Sequence, residues 1–288
     1  QWQFTWPLWA TTIVGMINIR FDKLLISSFF NPSEFAVYNY GAIELPIVAT
    51  VTASVSAAMM PDLVTLVDQG KKLEALSIWQ EGARKCSLLI FPCFAFFIFT
   101  AQDFIVLLFG QAYRMAAWPF SVYLCMLPIR VTVYATMFRA MGRTKPIAVS
   151  AVLAFVLNVI ISVSLMLIGR GSLLSFVGPS IGTTCATLGS VWFLLWQLSR
   201  IMGISVRQVM RWKELGRFFL ISLVPGLIVF LIPLSGIALP VKLAIRALIF
   251  MLILAAMTYW THSLHDDEKE LLITPFMAFY HALRRKKF

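Results

Sequence analysis

Five ionisable residues stand where an apolar chain should carry none. Arg20, Asp22 and Lys23 interrupt GMINIRFDKLLISSFF (15–30), Glu44 follows in AIELP, and Arg130 ends CMLPIR. A charge at bilayer depth costs at least about 2.5–3.5 kcal/mol on insertion scales, so such side chains face a polar interior, a partner or a pathway. Arg20, Lys23 and Arg130 have the chemistry to hold an anionic head group, the arginines through a two-pronged fork. Asp22 and Glu44 are candidates for ion coupling or charge pairing. On a helical wheel Arg20 and Lys23 share one face, three residues apart, while Asn18 and Asp22 share another, four apart. Lys23 and Glu44 lie at similar distances from the outer ends of successive spans. Two readings follow. In one, Lys23–Glu44 and Asp22–Arg130 are ion pairs that hold a bundle. In the other, the three cations outnumber the two carboxylates around a water-filled cavity. Asn158, alone in an apolar helix, reads as an interhelical hydrogen bond, as does Asn18. Asp103 and Arg246 fall nearer the outer interface, where side chains snorkel.

The elements that must position these residues are membrane helices. Of 288 residues 60% are hydrophobic and 13% charged, against about 25% charged in a soluble domain, and the mean hydropathy is +0.84. Spans of about 20 apolar residues fall at 7–29, 35–60, 86–109, 118–138, 147–168, 174–198, 218–234 and 241–261. Asn31-Pro32-Ser33-Glu34 predicts a capped helix start at Pro32, and Pro146 fits the first turn of the fifth span. Pro46, Pro92, Pro128 and Pro225 predict kinks. The net charge of +11 would suggest nucleic acid in a soluble protein. Here the cations alternate between loops: Lys71, Lys72, Arg84 and Lys85 in a loop at 61–85; Arg139, Arg143 and Lys145; then Arg200, Arg207, Arg211, Lys213 and Arg217; then Arg284 to Lys287. The loops between are poor in cations. That pattern sets both visible ends on the cytoplasmic side and excludes nucleic acid as the partner. The four cysteines read as small buried hydrophobes. No phosphate loop, nucleophile elbow or zinc-helix motif occurs. His262, His265, Asp266 and Asp267 read as ordinary juxtamembrane residues, so no metal and no cofactor is expected. FMAFYHAL followed by RRKK reads as an interfacial amphipathic helix for anionic lipid.

Three ordered stretches are similar to one family: FDKLLISSFFNPSEFAVYNYGAIELP, FIVLLFGQAYRMAAWPFSVYL with its LFG-x-x-Y loop, and FRAMGRTKPIAVSAVLAFVLNVIISVSLMLIG with its Gly-Arg-x-Lys turn. The chain resembles the polysaccharide and O-antigen flippases of the multidrug/oligosaccharidyl-lipid/polysaccharide exporter superfamily. The match is to the C-terminal lobe plus two terminal helices. The resemblance implies an all-α, polytopic bundle: a six-helix lobe at 1–200, two further helices at 201–262 and a basic cytoplasmic tail at 263–288. It also implies an isoprenoid-diphosphate-linked glycan as substrate, moved across the cytoplasmic membrane by alternating access, with no covalent catalysis. The chain is expected to lack the family's first lobe, so its partner would be that N-terminal lobe or a second copy. Rival readings are a peptidoglycan-precursor flippase, a cation-coupled multidrug exporter, which would want an acidic and aromatic cavity, and a membrane-embedded glycosyltransferase or ligase, which would want a long outer loop.

Overall fold

The computed structural model describes residues 2–234 and 236–261. The tail beyond them, with the four histidine and aspartate residues and the basic amphipathic segment, lies outside the described residues. Among the described residues the chain is helical, without strands. The order is α1 (Trp2–Phe29), α2 (Pro32–Gly41), α3 (Pro46–Asp68), α4 (Lys72–Phe109), a 3-10 turn (Gln111–Ala116), α5 (Ala117–Leu124), α6 (Ala135–Ala140), α7 (Lys145–Ile168), α8 (Leu173–Met202), α9 (Val206–Val209), α10 (Trp212–Leu231) and α11 (Leu239–Trp260). Six of these (α3, α4, α7, α8, α10 and α11) are long and apolar enough to cross a membrane. With α1 and the interrupted fourth span, the described residues fit a bundle of about eight spans.

Local signals set several boundaries as read. Asn31 Oδ1 accepts from the Glu34 amide at 2.9 Å, and Glu34 Oε2 accepts from the Asn31 amide at 3.2 Å, a reciprocal cap on α2. Proline stands in the first turn of α7. The LFG-x-x-Y loop has a physical role. Gly110 turns at φ +88, which favours glycine. Phe109 and Tyr113 then close around Tyr40, with ring centroids 4.6 and 4.7 Å away.

Other expectations are corrected. The second and fourth spans are not single helices: each is broken in the middle. The loop expected over 61–85 is helical apart from Gln69–Lys71, because α3 continues to Asp68 through Pro61 and α4 starts at Lys72. Asp103 and Arg246 do not snorkel. Arg246 is buried, and Asp103 accepts from it at 2.5 Å and from Lys242 at 2.8 Å. A buried arginine stays charged, so it needs this carboxylate, and the triad ties α11 to α4.

The helices pack closely. A Cβ on Gly226 of α10 would stand 2.7 Å from the Ala95 carbonyl oxygen of α4, which is why that crossing needs glycine. The buried centre runs along α4 through Trp79, Ile90 and Ile105 to Phe120 and Phe138. The outward faces are apolar, as on Val149, Val152, Val156 and Ile160 of α7. Spacings of three and four put these four on one stripe. In water that stripe would be a defect; in lipid it is the ordinary surface.

Candidate functional site: a cavity between two broken helices

The two breaks face each other. The first spans Ala42–Leu45 between α2 and α3. Pro46 opens α3, and Leu45 before it is extended at φ −77, ψ 109, as a residue preceding proline prefers. The second runs from Cys125 to Tyr134, between α5 and α6, and contains Pro128, which supplies no N–H. The Tyr134 hydroxyl donates to the Ile129 carbonyl at 2.6 Å, satisfying part of the freed backbone. Between the breaks lies a cavity of about 320 Å³, walled by Glu44, Val48, Thr52, Tyr123, Arg130 and Thr132 among others. Irregular backbone at membrane depth persists where it is buried in protein or lines a water-filled space.

The charges pair differently from either expectation. Arg130 Nη1 donates to Glu44 Oε2 at 2.9 Å, so neither Lys23–Glu44 nor Asp22–Arg130 forms. Arg130 was expected deep in a helix; it sits in a break, and so does Glu44. Of the three cations read as head-group contacts, Arg130 alone lines this cavity. Arg20 is exposed and Lys23 half-buried on α1, outside its lining. The lining therefore carries one arginine against one glutamate, without the surplus of positive charge the sequence suggested.

Asp22 is 3% exposed and is held by neutral groups. Tyr123 Oη and Thr183 Oγ1 each donate to Oδ2 at 2.5 Å, and Asn158 Nδ2 donates to Oδ1 at 3.2 Å. Asn158 Nδ2 also reaches Asn18 Oδ1 at 2.9 Å, and Ser162 Oγ donates to Asn158 Oδ1 at 2.7 Å. Tyr38 Oη lies 3.2 Å from Tyr123 Oη. The network joins α1, α2, α5, α7 and α8 around one carboxylate. Tyr123 belongs to both places: it walls the cavity and binds Asp22.

Sequence reasoning missed Tyr123, Thr183 and Ser162. Hydroxyls inside helices ordinarily bond to the preceding turn, so none of the three stands out in the sequence. The one available signal was spacing. Gly182 precedes Thr183, and a Cβ there would stand 2.0 Å from Ser162 Oγ. Close approach of α8 to α7 is what brings Thr183 to Asp22.

Apolar outer flanks and broken spans define the class: a multi-pass membrane protein with a small cavity between two interrupted helices. The sequence resemblance is borne out by comparison. Residues 2–117, less than half of the chain, match the family described as "Polysaccharide biosynthesis protein". Among solved structures the chain is similar to "Lipid II flippase MurJ, inward closed conformation", with a TM-score of 0.66 and 15% sequence identity over 89% of this chain. At that identity the likeness is one of fold. The chain spans 53% of that protein's length, about half. No curated protein matches it in sequence.

Proposed function

We propose that this chain is the substrate-binding lobe of a flippase that carries an isoprenoid-diphosphate-linked oligosaccharide from the cytoplasmic to the outer leaflet. The observation that carries the reading is the pair of facing breaks, with Arg130 in one of them at the edge of a 320 Å³ cavity. Transporters place polar substrate groups at discontinuous helices near the membrane centre. A sugar diphosphate cannot cross hydrocarbon unaided, whereas its prenyl chain needs no shelter. Arg130 binds the diphosphate; Arg20 and Lys23, outside the cavity walls, meet the head group at its entrance or across a second lobe. An inside-negative potential favours outward movement of an anion by about 2.3 kcal/mol per charge per 100 mV. The alternating basic loops support an inner-membrane location with the visible N-terminus cytoplasmic.

Asp22 is the ion-coupling site in this reading. A carboxylate only 3% exposed, with hydroxyl and amide partners among the described residues, is fit to accept a proton or a small cation, and Tyr123 joins it to the cavity. The family matched over residues 2–117 favours a polysaccharide precursor over a peptidoglycan one. The arginine in the cavity disfavours a cationic drug. The outer connections among the described residues are short, which leaves no platform for a glycosyltransferase.

The test is export of surface glycan by the complete protein. Arg130→Ala and Arg20→Ala should each abolish export while membrane levels stay unchanged. Wild-type export in both variants would refute the reading.

A further inference from the structure

This inference rests on the flippase reading above. We infer that Glu44 is a placeholder for substrate: its carboxylate occupies Arg130 when the cavity is empty, and the incoming diphosphate displaces it. Three observations carry this. First, the pair is only half engaged. Arg130 is held through Nη1 to Glu44 Oε2 at 2.9 Å, and its other guanidinium nitrogens have no partner among the described residues. A diphosphate offers the two-pronged geometry the fork prefers.

Second, the pair is accessible. The side chains of Arg130 and Glu44 are 40% and 56% exposed, against 9% and 18% for Arg246 and Asp103. An exposed pair of this kind is weak and easily exchanged, whereas the Asp103 triad is a structural tie. Third, both residues stand on irregular backbone: Glu44 in Ala42–Leu45, Arg130 between Cys125 and Tyr134. Each can therefore turn without unwinding a helix.

The exchange explains the charge balance of the cavity. With Glu44 in place the lining is neutral, and an anion meets no free arginine. With Glu44 displaced, Arg130 is free to hold phosphate. On the outer side the carboxylate returns, competes for Arg130 and helps expel the head group. Glu44 thus trades affinity for release, a balance any carrier must strike.

Binding of farnesyl diphosphate, and separately of inorganic diphosphate, to the detergent-solubilised complete protein tests this. Glu44→Gln should bind farnesyl diphosphate about two- to fivefold tighter than wild type, the scale of an exposed ion pair. Arg130→Gln should bind at least about tenfold more weakly, the scale of a charged hydrogen bond, and Arg130→Lys should fall between, having charge without the fork. The gain from Glu44→Gln should vanish in the Arg130→Gln background. Inorganic diphosphate should show the same ranking, because the head group carries the effect. If Glu44→Gln binds no tighter, or gains equally without Arg130, the placeholder role is overturned while the substrate cavity stands. If wild type binds neither probe, or Arg130→Gln binds like wild type, the flippase reading itself fails.

Discussion

Asp22 shows how one buried carboxylate can organise a bundle. Three donors from three helices converge on it. Replacing it with leucine would strand the Tyr123, Thr183 and Asn158 donors in apolar surroundings, at about 1–3 kcal/mol for each group left unpaired. Asp22→Leu should therefore lower the apparent melting temperature in detergent; an unchanged melting curve would show that the network contributes nothing. Tyr123→Phe is the finer probe. It keeps the ring in the cavity wall and removes the hydroxyl shared by Asp22 and Tyr38. It should leave binding of farnesyl diphosphate within about twofold, since the hydroxyl is engaged by Asp22 and Tyr38 rather than turned to the cavity, but should reduce export. Equal loss of binding and export would place the hydroxyl on the substrate instead. At this scale the sequence was half legible. Asn18, Asp22 and Asn158 do meet. The pairings were not legible, because charge and depth cannot choose between Lys23 and Arg130 as the partner of Glu44. Only the facing of two breaks does that.

Elements were legible where their signals are local. The α2 cap, the proline start of α7 and the glycine turn after α4 all follow from a few adjacent residues. The two breaks were read as kinks, because Pro46 and Pro128 announce a disturbance without its extent. The long helices α3 and α4 were cut short for a different reason: polar residues in an aqueous helix resemble a loop when only apolar spans are counted. Close crossings also escaped notice, since a glycine in a span looks permissive rather than required. At Gly41 a Cβ would meet the Ala116 carbonyl oxygen at 2.3 Å and Pro119 Cγ at 2.6 Å. Gly41→Val should destabilise the protein by about 1–3 kcal/mol as overpacking does, displace the turn that carries Glu44, and weaken diphosphate binding with it. Melting and binding measured on the same preparation check both halves. Asp103→Leu would leave Arg246 and Lys242 facing apolar α4 unpaired. Removing one partner of a buried pair costs about 3–5 kcal/mol, so proteolysis should release the α10–α11 hairpin from α4 in that variant first.

The described residues form a bundle with an apolar outer face and one small polar cavity beside its hydrophobic core, and the proposed function depends on that cavity being wet. Thiol chemistry reads this directly in the complete protein with its native cysteines replaced by serine. Ala49 lines the cavity, while Val152 faces outward from α7. The account predicts that Ala49→Cys reacts with a membrane-impermeant maleimide from one side of the membrane, that saturating farnesyl diphosphate slows the reaction, and that Val152→Cys stays inert. An Ala49→Cys thiol as unreactive as Val152→Cys from both sides would contradict it.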